Sequence, residues 1–255
     1  MVLTLVEHHN SDDVMAAGCT GIMPGNDNDP ADQQPTDRRQ RRTKNSKATQ
    51  LRVSDSVEFV QINLQHNKAA SALLCKQMAE MQCSVILIQE PWINKNKILG
   101  LNSKGSTHFW DSRQEHPRTC VITKGLEAYC LPQFSSRDQT AVCIKYNNAK
   151  KEQSVMVASV YMPMEFTLPS GEMEQLIQYC NDKNIPLILG CDTNAHHFWW
   201  GSNECNNRGY ILSEYLASTN LEVVNQGCEA TFCVGNKQTV IDVKNNTNNR
   251  TTPVK

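Results

Sequence analysis

Six polar residues of this sequence stand where apolar runs end or are interrupted. Asn63 closes Val57-Glu-Phe-Val-Gln-Ile-Asn63, and Glu90 closes Ser84-Val-Ile-Leu-Ile-Gln-Glu90. Tyr161 follows Val157-Ala-Ser-Val160, while Asp192 and Asn194 follow Leu187-Ile-Leu-Gly190. Asp242 sits inside Val240-Ile-Asp-Val243. A single polar residue at a strand end is ordinarily a cap or turn former. The first five residues together supply two carboxylates, two carboxamides and a phenol, which outlines a site assembled at one edge of a sheet. These types suit phosphodiester hydrolysis assisted by Mg²⁺, with Mn²⁺ as a substitute. Hard oxygen ligands hold Mg²⁺ together with its waters, and the ion polarises a phosphoryl oxygen. Carboxylates orient or deprotonate water, and Tyr and Asn stabilise the charge that develops on the phosphoryl group. A core whose strands are merely capped is the alternative reading of the same residues.

His196-His197, followed by Phe198-Trp-Trp200, invites a zinc reading. Adjacent histidines point to different sides of a strand or helix, however, and no second His/Cys pair has suitable spacing. Cys228 and Cys233 lack the company a metal site needs.

The elements that must position these residues are legible in the apolar pattern. Val57–Leu64 alternates over part of its length and predicts a strand. Lys68–Gln82 has good helix formers and apolar residues near helical spacing. Ser84–Glu90 is a continuous apolar run, as in a strand buried on both faces. Further strands are predicted at Thr119–Thr123, Thr140–Tyr146, Ser154–Met162, Pro186–Gly190, Leu221–Val224 and Thr239–Val243, with helices at Gly171–Asn184 and Arg208–Thr219. Strands outnumber helices, and the helices fall between strand groups. The expected fold is an α/β sandwich of four layers, two sheets face to face with helices outside.

At 255 residues and formal charge −1, the chain reads as one domain with a tail. Apolar residues at 39% suffice for a core, while a mean hydropathy of −0.50 implies that part of the chain is solvated. Residues 1–52 show no hydrophobic period and are expected to be a disordered tail, with the domain at 53–243 and a second tail at 244–255. Arg38, Arg39, Arg41, Arg42, Lys44 and Lys47 form a basic run without an acidic residue. It reads either as a solvated arm or as a nuclear-import or nucleic-acid-binding arm. The eleven cysteines are scattered and contain no CxxC pair, as expected of reduced core thiols. No apolar run is long enough to cross a bilayer and no secretory signal opens the chain, so the expected setting is intracellular, and nuclear, without a membrane partner.

The order of several blocks carries a specific resemblance. Gln61-Ile-Asn-Leu-Gln-His66, Leu87-Ile-Gln-Glu-Pro-Trp92, Ser159-Val-Tyr-Met-Pro163 and Leu189-Gly-Cys-Asp-Thr-Asn-Ala-His-His197 resemble the motifs of the endonuclease/exonuclease/phosphatase superfamily. Gly201 with Asn207-Arg-Gly209, Ala230-Thr-Phe232 and Val240-Ile-Asp-Val243 narrow the resemblance to the apurinic-endonuclease-like domain of non-LTR, or LINE-type, retrotransposons. The resemblance implies that Glu90 is the Mg²⁺ ligand with Asn63 beside it. It implies that Tyr161 and Asn194 contact the scissile phosphate, that Asp192 positions or activates the attacking water, and that Asp242 helps position the metal. Where the wider superfamily often has an acidic residue, this chain has Gln65, a trait of the retroelement branch. The Ala-His-His segment becomes a loop flanking Asp192 and Asn194, its aromatics expected to pack beneath it rather than stack on bases.

The family's last motif is Ser-Asp-His, on a further strand, and its His contacts the scissile phosphate. These 255 residues contain no Ser-Asp-His and no His after His197. Truncation, with the motif encoded downstream, is preferred over a decayed or domesticated copy, because the other motifs stand intact. The expected protein is therefore a sandwich missing its last strands, and a nuclease slowed by ~10²–10⁴. Its expected role is to nick target DNA so that a reverse transcriptase, absent from this chain, can prime there. A non-catalytic remnant that binds DNA or a partner is the alternative, and a phosphatase of the same superfamily is a third reading, disfavoured by the retroelement blocks.

Overall fold

The computed structural model describes residues 2–7, 17–18, 57–148, 151–224, 232–234 and 237–239. Two short strands come first, β1 (Val2–Glu7) and β2 (Ala17–Gly18). The predicted β–α–β unit follows as β3 (Val57–Asn63), α1 (Lys68–Glu80) and β4 (Ser84–Gln89). A small hairpin of β5 (Ile93–Asn94) and β6 (Lys97–Ile98) precedes β7 (Ser106–Phe109), β8 (Thr119–Lys124) and β9 (Glu127–Cys130). The antiparallel pair β10 (Gln139–Asn148) and β11 (Lys151–Tyr161) leads into α2 (Gly171–Lys183) and β12 (Leu187–Asp192). Then come α3 (Asn207–Ala217), β13 (Leu221–Val223), and the hairpin β14 (Phe232–Val234) with β15 (Lys237–Thr239).

Two sheets form, with strand orders β2-β3-β4-β8-β7 and β13-β1-β12-β11-β10-β9. Strand β4 shows why its sequence is apolar throughout. Its odd-numbered residues Val85 and Leu87 join Phe59, Val121, Val142 and Val157 in the core between the sheets. Its even-numbered residues Ile86 and Ile88 face the other way and pack with Leu74 and Met78 of α1. On the outer side of the second sheet, Met156, Ala158, Leu187 and Leu189 pack with Met173 and Leu176 of α2 and with Leu212 and Leu216 of α3. Each such buried aliphatic side chain contributes roughly 1.5–3 kcal/mol of transfer free energy. The result is the expected sandwich of helix, sheet, sheet and helices.

The helix starts follow their capping residues. Asn67 accepts from Ala69 N and Ala70 N at the head of α1, Ser170 accepts from Met173 N at α2, and Asn206 accepts from Gly209 N at α3. Close approach of the sheets depends on Gly190, where a Cβ would lie 2.6 Å from Leu87 Cδ1 and 3.0 Å from Gln61 Cδ.

The N-terminal stretch departs from expectation. Residues 2–7 and 17–18 are strands rather than part of a disordered tail. Val2-Leu-Thr-Leu-Val6 is rich in strand formers, and β1 lies antiparallel along β12 from Val2 opposite Asp192 to Glu7 opposite Leu187. A tertiary partner selects a strand that the surrounding polar sequence hides. The basic run at Arg38, Arg39, Arg41 and Arg42, and the expected strand residues 240–243 with Asp242, lie outside the described residues.

Candidate active site

Strands β3, β4, β11 and β12 run so that their C-terminal ends meet on one edge of the sandwich. β3 and β4 are parallel, and β11 and β12 are parallel, with Tyr161 directly beside Asp192 in the ladder. The structure brings Asn63, Glu90, Tyr161, Asp192 and Asn194 together there. The two sheets are joined across this edge by side chains: Asn63 Nδ2 donates to Asp192 Oδ2 at 2.6 Å. Beneath it, Gln89 Nε2 donates to Ser159 Oγ and to Gly190 O, both at 2.9 Å, and Ser159 Oγ donates to Ile88 O at 2.7 Å. The buried Gln89 amide nitrogen and Ser159 hydroxyl are thereby bonded across the interface, while Gln89 Oε1 has no hydrogen-bond partner among the described residues.

Local backbone geometry aims two of the five. Glu90 and Asn194 both adopt the left-handed conformation, with φ of 48°. Non-glycine residues pay strain to be there, and such residues cluster at functional sites. The turn at Glu90 is fastened on both sides, its N–H donating to Arg118 O and its carbonyl accepting from His66 N, each at 2.8 Å. Its side chain is 22% exposed, with His66 Nε2 3.9 Å away. Asn63 Oδ1 accepts from Gln65 N at 2.8 Å, which leaves its second lone pair for another partner.

The second sheet presents the more enclosed half. Asp192 is 5% exposed. Asn194 Nδ2 donates to Met162 O at 3.1 Å, which sets its amide beside the Tyr161 phenol. Burial, and then the negative charge of Glu90, hold the Tyr161 phenol above its ordinary pKa, so it keeps its proton and acts as a donor.

Two arginines that strand-end reasoning passes over belong to this edge. Arg118 makes a bidentate contact with Asp138, its Nη2 2.6 Å from Oδ2, and its guanidinium lies over the Tyr161 ring at 4.7 Å. Arg208 ties the loop after β11 to the loop after β12. Its guanidinium donates to Met164 O at 3.1 Å, Phe166 O at 2.7 Å, Met162 O at 3.4 Å and Thr193 O at 3.3 Å. Arg208 sits in the Asn-Arg-Gly block, but a lone arginine on a helix carries no sign that four carbonyls await it. Gln89 had a visible signal, a polar residue inside an otherwise apolar run.

The Ala-His-His loop is built by short-range bonds. His196 Nδ1 lies 3.1 Å from Ser202 Oγ, and His197 Nδ1 accepts from Trp199 N at 3.1 Å. Gly209 lets α3 press on this loop, since a Cβ there would lie 1.8 Å from His196 O. The aromatics divide: Trp200 is fully buried and donates to Ala195 O, as expected, whereas Phe198 and Trp199 are 65% and 48% exposed. Among the described residues, no group of three or more His, Cys, Asp and Glu side chains is arranged to hold a metal. Eight of the described cysteines are free thiols, and burial raises the pKa of Cys120 to about 12. No helix among the described residues is long and apolar enough to cross a membrane.

A sandwich of two sheets, with carboxylate, carboxamide and phenol groups gathered where four strands end, is the arrangement to which the sequence blocks pointed. Comparison with known proteins gives the branch. A family model described as endonuclease-reverse transcriptase matches residues 155–253. The RNA-directed DNA polymerase from the mobile element jockey of Drosophila funebris is 33% identical over 150 residues, which are 58% of this chain and 16% of that protein. The endonuclease domain of TRAS1, a telomere-specific non-LTR retrotransposon, superimposes with a TM-score of 0.58 at 26% identity, covering 72% of this chain and 81% of that one. Together these likenesses support an endonuclease/exonuclease/phosphatase-type domain similar to the endonucleases of non-LTR retrotransposons. It spans about one sixth of the jockey polymerase's length.

Proposed function

We propose that this domain cuts a phosphodiester bond of DNA with the help of Mg²⁺, for which Mn²⁺ can substitute. The observation that carries the reading is the contact between Asn63 and Asp192, which closes the two sheet ends into one site. One partly exposed carboxylate, Glu90, and one carboxamide oxygen, Asn63 Oδ1, fit an ion that keeps most of its waters and uses one or two carboxylates. These two residues would hold it, and Asp242 is proposed to assist. When bound, the ion supplies positive charge against the phosphoryl oxygens.

The chain's own groups divide the remaining work. Asp192, nearly buried and fixed through Oδ2 by Asn63, orients the attacking water and takes its proton. Tyr161 keeps its phenolic proton and donates to a non-bridging phosphate oxygen, and Asn194 supports the same charge from the adjoining loop. Arg118 holds the Tyr161 ring from above. The biological setting proposed is nicking of nuclear target DNA, to prime a reverse transcriptase of the same element. Conversion of supercoiled plasmid to the nicked circle tests the reading. Nicking that requires Mg²⁺ and disappears in Glu90→Ala is expected; nicking that persists in Glu90→Ala, or none at any protein concentration, defeats it.

A further inference from the structure

Beside Tyr161 the structure holds a cavity of about 300 Å³, between the loop after β11 and the start of α2. Tyr161 belongs to its wall, so whatever fills it lies next to the group proposed to touch the scissile phosphate. Its polar lining combines the Asp138 and Glu172 carboxylates and the Gln139 amide with the hydroxyls of Ser136, Thr167 and Ser170, and none of the described lining residues is Lys or Arg. Asp138 is already paired with Arg118, which leaves the Gln139 amide and Glu172 as the acceptors of interest. A planar group with N–H donors on its edge would find acceptors there.

Two observations point to such an occupant. Gln139 is 1% exposed and spends both amide hydrogens on Phe134 O and Glu172 O, at 2.9 and 3.1 Å, while its Oε1 has no hydrogen-bond partner among the described residues. A buried acceptor left unpaired is costly, and a donor arriving in the cavity would relieve it. Phe166 also lines the cavity yet is 60% exposed. It is held out rather than folded inward, because Arg208 pins the carbonyls of Met164 and Phe166 itself. An aromatic face fixed at the mouth of an acceptor-lined cavity fits a nucleobase, which stacks on the ring and turns its amino edge inward.

We propose that this cavity takes one base of the DNA strand being cut, a base with an exocyclic amino group, stacked on Phe166. The proposal rests on the DNA-cleaving reading and adds the base class that the site prefers. Thymine, with one ring N–H and no amino group, is disfavoured.

Binding by the full 255-residue chain tests this without requiring turnover. The probes are dye-labelled thymidine 12-mers, unmodified or carrying one central adenine, cytosine or guanine. Anisotropy is followed in Ca²⁺ at fixed salt. The three amino bases are expected to bind several-fold tighter than the all-thymidine strand. Phe166→Ala should weaken the substituted strands ~5- to 100-fold with an unchanged salt slope, because no phosphate contact is lost. Glu172→Gln, at an exposed position, should narrow the gap between guanine and thymine. Equal affinity for all four strands, untouched by Phe166→Ala, would overturn the cavity assignment while leaving DNA cleavage standing. Failure to bind any strand would overturn the DNA reading and this inference with it.

Discussion

The two sheets contribute to one site in different ways. The ends of β3 and β4 form an open half, in which the Glu90 side chain is 22% exposed and meets only His66, at 3.9 Å, as an ion-pair contact among the described residues. The ends of β11 and β12 form a closed half. There Asp192 is 5% exposed, Asn194 is bonded to Met162 O, and Arg208 straps the two loops with four carbonyl contacts. The difference follows the work proposed for each. A hydrated cation needs room for its waters, whereas groups that orient water and steady a phosphate gain from being fixed before the substrate arrives. The single bond from Asn63 to Asp192 is where the halves meet.

Chemistry removed from either half should produce the largest effects. Glu90→Ala and Asp192→Asn are each expected to slow plasmid nicking by ~10²–10⁴. Only Glu90→Ala should also raise the Mg²⁺ concentration needed for half-maximal rate. A similar Mg²⁺ response in both variants breaks the division into halves.

The closed half should also fail mechanically. Gly209→Ala puts a methyl group 1.8 Å from His196 O, so helix or loop must shift. We expect a loss of ~1–3 kcal/mol in urea unfolding, together with slower nicking at unchanged Mg²⁺ dependence. Arg208→Met removes the guanidinium from four loop carbonyls, of which Met162 O still accepts from Asn194 Nδ2. Limited proteolysis should then cut within residues 162–170 well before wild type, at a stability cost of ~1–3 kcal/mol. If both variants match wild type, the closed half is not pre-fixed by these contacts.

A smaller effect concerns pH. The folded Tyr161 phenol has its pKa raised, first by burial and then by the charge of Glu90, so its neutral form persists to higher pH than in a free phenol. The alkaline decline of nicking should therefore begin above the ordinary tyrosine range. Glu90→Gln removes the second cause and should move Tyr161 ionisation, followed at 295 nm against a Tyr161→Phe control, to lower pH. An upward or absent movement contradicts the electrostatic link between the halves.

Much of the fold and part of the site were legible in the sequence, for identifiable reasons. β4 announced itself because both of its faces are covered, and Asn63, Glu90, Asp192 and Asn194 stood out as polar ends on apolar strands. Edge strands were quieter: β7 and β9 are half-exposed and carry Ser-Thr-His-Phe and Glu-Ala-Tyr-Cys, without a clear apolar period. β1 was hidden for another reason, since its pairing with β12 joins residues far apart in the chain. Nothing local marks the left-handed backbone at Glu90 and Asn194, nor the carbonyls that Arg208 collects, because those depend on how two loops meet. The split of Phe198 and Trp199 from buried Trp200 likewise depends on which face the short turn shows to the core.

The central claim is that open and closed halves act as one catalytic unit, and a double-mutant cycle on Glu90→Gln and Asp192→Asn tests it most directly. Single-turnover nicking of plasmid would be measured for wild type, each single variant and the pair. Residues that work as a unit are strongly non-additive, so the double variant is expected to be no slower than about the slower single variant. Multiplying losses, with each variant slowing the other in full, would show two independent contributions and contradict a single site closed by Asn63 and Asp192.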